Sequence, residues 1–304
     1  MSEPPLTVPV CYRHPSRETY VRCTRCDRPI CPDCMNEASV GHQCPECVAE
    51  GRRNTRPALT AFGGSSAGRA GHATRVLIGI NVAVMVLSIA LGGLGSMAGG
   101  GWGGLLGSST PLTDWGSVLG YAMYGPPGAA ELHGIAAGEW WRLFTAMFLH
   151  YGILHLAMNM YALWMLGRSL EESLGPLRFV GLYVLAGLGG NVAAYLFTAQ
   201  NTATAGASTA VFGLFAAMFV LLRRLGQSTA QILPIIIVNV VFTFTVPSIS
   251  VAGHLGGLVI GALVAAVLAY APRAHRNLVQ GAGAGVVLVV LLALSVARSV
   301  GLTG

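Results

Sequence analysis

Residues 179–222, FVGLYVLAGLGGNVAAYLFTAQNTATAGASTAVFGLFAAMFVLL, run for 44 residues without a formal charge. A bilayer core about 30 Å thick needs roughly 20 apolar residues of helix, so this run holds two spans. The polar cluster Gln200-Asn201-Thr202 supplies the break between them. Working outward, the 25 uncharged residues between Arg142 and Arg168 form the span before this pair. Residues 225–272 are 48 long, broken around Pro247-Ser248, and make two spans after it. Val76 to about Leu91 is a first span that frays into the Gly-rich stretch 92–107, and Asn277–Ala297 is the last. Seven spans are expected, in an all-α membrane protein.

Composition supports that reading and divides the chain. Of 304 residues, 53% are hydrophobic and 10% are charged, with a mean hydropathy of +0.62. A soluble domain carries about 25% charged residues, and disorder requires low hydrophobicity with high charge; neither describes this chain. Residues 1–75 hold ten Arg and seven Asp/Glu, 17 of the 30 charges, and all seven Cys lie between Cys11 and Cys47. A small polar module therefore precedes a membrane-grade segment. The net charge of +6 does not suggest nucleic-acid binding, because most of the Arg flank apolar runs instead of forming one patch.

Arginine placement orients the spans. Arg52, Arg53, Arg56, Arg69 and Arg75 precede the first, Arg168 and Arg178 bracket the loop after the second, Arg223-Arg224 follow the fourth, and Arg273 and Arg276 follow the sixth. The alternate loops are nearly free of Arg; Arg142 and Arg298 are minor exceptions. The positive-inside rule then predicts a multi-pass plasma-membrane protein with a cytoplasmic N-terminus and an external C-terminus. No cleavable signal peptide is expected, since the first apolar run begins after residue 75. Spans 2, 4 and 6 all run from outside to inside, so residues early in each share the outer leaflet.

Polar side chains inside spans are costly and are functional candidates by default. Span 2 carries His150, His155 and Asn159, span 4 opens with Gly206-Ala207-Ser208-Thr209, and span 6 has His254 in Ala252-Gly253-His254-Leu255-Gly256-Gly257. His155 and Asn159 are four apart and share a helix face. His254, Gly257 and Gly261 form a stripe that lets span 6 press against a neighbour. If that neighbour is span 4, His254 reaches Ser208. A serine nucleophile needs an adjacent base, and histidine suits the task. The oxyanion needs preorganised donors, which the His155/Asn159 face and the N–H groups opening span 4 supply. No Asp or Glu is placed to complete a triad, so a dyad is expected. Taken singly, a Ser in a membrane helix usually bonds its own backbone, and spaced glycines usually mark packing; it is the shared leaflet that raises the set above these readings.

These residues resemble the rhomboid family of intramembrane serine proteases over roughly residues 75–272. The resembling stretches are Glu139-Trp140-Trp141-Arg142, His150-x4-His155-x3-Asn159, Gly206-Ala207-Ser208 and Gly253-His254-x2-Gly257-x3-Gly261. The resemblance implies a six-helix core with a water-filled cavity open to the outside, plus a seventh C-terminal helix. It implies Ser208 as nucleophile and His254 as general base. The oxyanion hole would be His155, Asn159 and the Ser208 N–H, and Trp141-Arg142 would brace the first external loop. Thr209 departs from the family's usual Gly after the catalytic Ser. The expected activity is endoproteolysis of transmembrane protein substrates, cut near the external membrane face where the helix unwinds easily, with no cofactor for catalysis. The alternative is an inactive family member that binds membrane helices under control of the N-terminal module. A transporter would instead place broken or charged helices at the midplane.

The module reads Cys11-x2-His14, Cys23-x2-Cys26, Cys31-x2-Cys34 and Cys44-x2-Cys47. Eight ligands suit two structural, fully ligated Zn²⁺ sites, and an odd number of Cys argues against a disulfide framework. The segment looks like a B-box-type zinc finger. Cross-braced pairing joins the first pair with the third and the second with the fourth; sequential pairing is the other option. His42 is expected to be a non-ligand. The expected organisation is a double-zinc module over residues 1–50, a flexible linker over 51–74, the six-helix core over 75–272 and the additional helix over 273–304. A cytoplasmic protein partner is expected for the module, and no nucleic acid.

Overall fold

The computed structural model describes residues 8–54, 58–66, 70–98, 100, 107–124, 131–246 and 249–304. The chain divides into two compact units, Met1–Ala58 and Leu59–Gly304.

In the first unit, strands β1 (Asn36–Glu37) and β2 (His42–Gln43) pair antiparallel, and helix α1 (Pro45–Asn54) follows. Proline at its first position, Glu46 in the first turn and Arg52-Arg53 in the last suit the helix dipole. The buried core is six cysteines and Ile30. So little apolar area cannot outweigh the chain entropy of ordering the segment, and a metal held by the thiols would supply the missing stabilisation.

The second unit is helical apart from a hairpin of β3 (Ala122–Tyr124) and β4 (Glu131–His133), whose tip lies outside the described residues. Its helices are α2 (His72–Gly92), α3 (Pro111–Gly116), α4 (Arg142–Thr145), α5 (Ile153–Leu174), α6 (Pro176–Phe197), α7 (Ser208–Arg224), α8 (Ile232–Thr245), α9 (Val251–Tyr270) and α10 (Arg276–Thr303). Helices stand at all seven expected positions. By length and composition α2, α6, α9 and α10 can each cross a membrane, and α4 with α5 can form a fifth, bent span; this is a multi-pass membrane protein. Helices α7 and α8 have 17 and 14 residues, about 26 and 21 Å at 1.5 Å per residue, short of the hydrocarbon thickness.

Two expectations are corrected. The stretch between Arg142 and Arg168 is not one straight span: Arg142–Phe148 meets Ile153–Leu174 at 88°. The turn passes through extended Leu149 and Gly152 at φ +83°, where an added Cβ would lie 2.2 Å from the Gly107 nitrogen. His150 therefore sits in the bend and not in a helix. Residues 51–74 are not a plain tether either. Helix α1 runs to Asn54, Phe62 is buried in the helical core, and a Cβ on Gly64 would strike the Leu174 carbonyl at 1.8 Å. Residues 55–57 and 67–69, with Arg56 and Arg69, and the break expected at Pro247-Ser248 lie outside the described residues.

Local chemistry sets the helix ends. Thr110 and Thr113 make a reciprocal capping box for α3, Gly175 at φ +80° with Pro176 turns α5 into α6, and Ser250 caps α9 through the Gly253 N–H. The start of α2 is held by Glu171 of α5. This carboxyl group, 0% exposed, accepts from the Ala73 and Thr74 N–H groups at 2.9 and 2.8 Å and from the Thr74 hydroxyl at 2.7 Å. Helices α6, α7 and α9 form the centre, in backbone contact through glycines: a Cβ on Gly261 would lie 2.2 Å from the Gly213 Cα. Helix α10 docks on α6 and α9, where Gln280 donates to the Leu268 carbonyl at 2.7 Å and Tyr195 meets Ser299 at 2.7 Å.

Replacing Glu171 by Ala should strip three buried donors of their acceptor and cost about 3 kcal/mol. It should be seen as a lower melting temperature in detergent, with Glu171→Gln losing less.

Candidate active site and metal centres

Ser208 is the first residue of α7, and its hydroxyl lies 2.8 Å from Nε2 of His254 on α9. Glycine makes this proximity possible. A Cβ on Gly257 would fall 1.9 Å from the Thr209 carbonyl oxygen, so the α9 backbone rests directly on the start of α7 one turn below the pair. His254 is buried at 8% exposure and Ser208 is half-buried. Phe212, four residues beyond Ser208 and so on the same helix face, stacks on the His254 ring at 4.0 Å between centroids and 22° between planes.

The segment entering α7 is pinned. Thr204 pairs with Val118, and the Gly206 N–H donates to the Ala146 carbonyl at 2.9 Å. No side chain caps α7 at Ala207. The Ser208 N–H is thus among the four that a helix start leaves without an intrahelical acceptor, at the positive end of the helix dipole.

His150 and His155 gather beside the start of α7, with Asn159 one turn further along α5. The His150 and His155 rings meet edge-on at 5.1 Å, and the Ala207 N–H points at His150 Nε2 from 3.4 Å. The Tyr151 N–H points at His155 Nδ1 from 3.4 Å, leaving Nε2 as the nitrogen that carries hydrogen in the neutral ring. That nitrogen faces Gly206, where a Cβ would approach it to 2.9 Å. Asn159 is buried, and its amide donates back to the His155 carbonyl at 2.9 Å. Ser208, His254 and His155 are thus brought together, while Asn159 bonds back into its own helix one turn from His155. Thr209, the β-branched residue after the serine, fills space left by two glycines: Cβ atoms on Gly190 and Gly253 would lie 2.6 and 3.3 Å from its side chain.

Sequence reasoning missed Phe212 and Thr243. The Thr243 hydroxyl, on α8, lies 2.8 Å from His254 Nδ1. Its signal was faint, one of two threonines after Asn239 in a mainly apolar helix.

Trp141 and Arg142 knit the segment before the bend to the preceding loop. Trp141 stacks on Trp115 at 5.7 Å and donates to its carbonyl at 3.1 Å. Arg142, 3% exposed, donates to Glu139 at 2.6 Å and to the Asp114 and Ser117 carbonyls at 2.7 and 3.1 Å. Partial burial raises the Glu139 carboxyl, but the His133, Arg142 and Gly134 donors outweigh it and hold the group below its ordinary value.

In the N-terminal unit, Cys11, His14, Cys31 and Cys34 form one cluster and Cys23, Cys26, Cys44 and Cys47 another, with the ligand atoms of each within 4.8 Å of one another. The pairing is cross-braced, first with third and second with fourth. His42 lies in β2, outside both. Tetrahedral ligands at 2.3 Å from a metal stand about 3.8 Å apart. Cys26 and Cys44 Sγ are 3.8 Å apart, and His14 Nδ1 is 3.2, 3.5 and 3.8 Å from Cys31, Cys34 and Cys11. Both clusters can hold a metal ion. Burial raises Cys11 and Cys23, but backbone N–H groups and a neighbouring thiol lower each to about 6. Burial and neighbouring thiols push Cys34 up to about 11 and Cys47 to about 12. Several thiols in one small volume oppose one another's ionisation, a conflict that a dication would remove.

Comparison with known proteins matches the same region. A family model described as "Rhomboid domain" covers residues 137–271. The chain is 42% identical over 149 residues to "Rhomboid protease GluP" of Bacillus subtilis (strain 168), covering 46% of this chain and 28% of that protein. It is 36% identical over 136 residues to "Putative rhomboid protease YdcA" of the same organism, covering 43% of this chain and 68% of that protein. It is 34% identical over 154 residues to "RHOMBOID-like protein 5" of Arabidopsis thaliana, covering 48% of this chain and 50% of that protein. The chain thus spans from about a quarter to two thirds of the length of these relatives.

Substituting Gly257 by Ala should force α9 off α7 by roughly 1 Å, a shift that costs a reacting pair about a hundredfold. Fluorophosphonate labelling of Ser208 in membranes measures this directly; labelling at the wild-type rate would show that helix spacing does not govern the pair.

Proposed function

The chain belongs to the rhomboid family, and from that premise we propose that it is an intramembrane serine endopeptidase using Ser208 and His254. The observation that carries the reading is the 2.8 Å contact between Ser208 Oγ and His254 Nε2, beside an uncapped helix start. Ser208 Oγ attacks the scissile carbonyl carbon while its proton passes to His254 Nε2. The developing oxyanion is met by the Ser208 N–H, His155 Nε2–H and the Asn159 amide. The C–N bond then breaks, and His254 gives its proton to the leaving amine. Water, activated by the same imidazole, hydrolyses the acyl ester and restores Ser208.

The substrate class is a transmembrane protein segment. Carbonyls in an intact helix are hydrogen-bonded and shielded, so residues that unwind easily favour cleavage. Arginine asymmetry supports a cytoplasmic N-terminus and an external C-terminus, and the plasma membrane is the proposed location. With Arg223-Arg224 at the inner headgroups, the length of α7 sets Ser208 about 4 Å beneath the outer boundary of a 30 Å core.

For the N-terminal unit we infer two structural Zn²⁺ ions, one per cluster. Zinc would supply the cross-link that the small core lacks, leaving no open position for chemistry. A cytoplasmic protein is the proposed partner. Arg17, Arg22, Arg25 and Arg28 are each paired with a carboxylate, of Asp33, Asp27, Glu50 and Glu46, which favours a protein ligand over a nucleic acid.

Ser208→Ala and His254→Ala should each abolish cleavage of a co-expressed rhomboid reporter substrate while leaving expression unchanged; cleavage persisting in either removes the proposed reaction. Metal analysis of the purified full chain should find two zinc ions. Cys11→Ala/Cys31→Ala should retain one and Cys11→Ala/Cys23→Ala none, whereas sequential pairing would reverse the two results.

A further inference from the structure

The two nitrogens of a neutral imidazole have opposite roles, and a general base works only if the nitrogen facing the nucleophile is the unprotonated one. In His254 that nitrogen is Nε2, and something must hold the hydrogen on Nδ1. Among the described residues no carboxylate does so; Nδ1 meets the hydroxyl of Thr243 at 2.8 Å. The same hydroxyl lies 2.9 Å from the carbonyl oxygen of Asn239, one turn earlier on α8.

A hydroxyl has one hydrogen to give and lone pairs to accept with, whereas a carbonyl oxygen can only accept. If Thr243 donated to Nδ1, its oxygen would face the Asn239 carbonyl at 2.9 Å with no hydrogen between them, two acceptors in repulsive contact. One arrangement satisfies all three contacts: Ser208 O–H donates to Nε2, Nδ1–H donates to the Thr243 oxygen, and Thr243 O–H donates to the Asn239 carbonyl. We propose that Thr243 is the positioning residue of the site, a hydroxyl in the place where a triad has a carboxylate, oriented by the Asn239 carbonyl and selecting the His254 tautomer that accepts the Ser208 proton. It touches no reacting atom and acts through the imidazole. Burial strengthens the arrangement: Thr243 is 2% exposed, so water does not replace it. Phe212 covers one ring face, so the two hydrogen bonds and the stack together fix the plane and orientation of the ring. The acceptor is neutral, so it orients the base without adding the charge stabilisation that a carboxylate supplies to the imidazolium.

The inference rests on the proteolytic reading, and the experiment separates the two. In purified full-length protein, Thr243→Val keeps the side-chain shape and removes the hydroxyl. It should lower kcat roughly 10- to 100-fold with KM unchanged, less than the loss seen when a triad carboxylate is replaced. Thr243→Ser should recover kcat to within about threefold. ¹⁵N spectra of labelled imidazoles, which need no turnover, should show His254 as the Nδ1–H tautomer in wild type and as a mixture in Thr243→Val. An unchanged kcat in Thr243→Val overturns the proposal, as does a serine variant as slow as the valine one at equal thermal stability. If the valine variant does not fold, the wild-type spectrum decides: an Nε2–H tautomer overturns the proposal and Nδ1–H sustains it. Wild-type protein that neither cleaves nor takes up fluorophosphonate would defeat the protease reading, while the tautomer measurement would still test the role of Thr243.

Discussion

Contact between the backbones of α7 and α9 governs everything else in the membrane unit. A methyl group at Gly257 would overlap the carbonyl of Thr209, and the same exclusion of side chains recurs one turn on, between Gly213 and Gly261. Inside a bilayer, lipid tails are as apolar as leucine, so helices associate through close packing and hydrogen bonds more than through burial from water. Small residues at this seam supply the packing. They also leave the imidazole of α9 and the hydroxyl of α7 at hydrogen-bonding distance, in a region where an unpaired polar group is expensive. Packing and chemistry are therefore one constraint here.

The site is assembled from elements that each contribute one group and are each held from behind. The strand-like segment before α7 is fastened to Val118 and Ala146, which sets where the N–H groups of the helix start are aimed. The bend at Gly152 frees His150 from helical geometry and lets it stand beside His155. Helix α8 adds a threonine that extends the hydrogen-bond chain through His254. Because α8 is short and its flanks are exposed and apolar, that chain links the chemistry to a peripheral helix.

The N-terminal unit obeys a different physics. Its hydrophobic interior is thiols and one isoleucine, so with a metal in each cluster, as proposed, folding and metal binding would be a single event. The crossed connection of its two clusters ties the beginning of the unit to its middle and the middle to its end. Arginines placed among paired carboxylates, with Arg28 donating to the Cys26 sulfur at 3.2 Å, orient the ligands from outside.

Charge-free run lengths, arginine asymmetry and four Cys/His pairs were local facts, and residue order alone carried the helix positions, the membrane character, the eight candidate ligands and the expectation that Ser208 and His254 meet. These were legible because hydrophobicity and ligand spacing are properties of short segments. The bend that removes His150 from its span, the docking of residues 59–65, the cross-braced choice between two ligand pairings and the approach of Thr243 to His254 were not. Each depends on residues far apart in the chain meeting: Gly152 with Gly107, Gly64 with Leu174, Cys11 with Cys31, α8 with α9. A threonine hydroxyl bonded to its own helix has the same sequence signature whether or not an imidazole stands on its other side. Only the packed structure distinguishes the two, because a third partner is a matter of distance and direction that no spacing along one helix encodes.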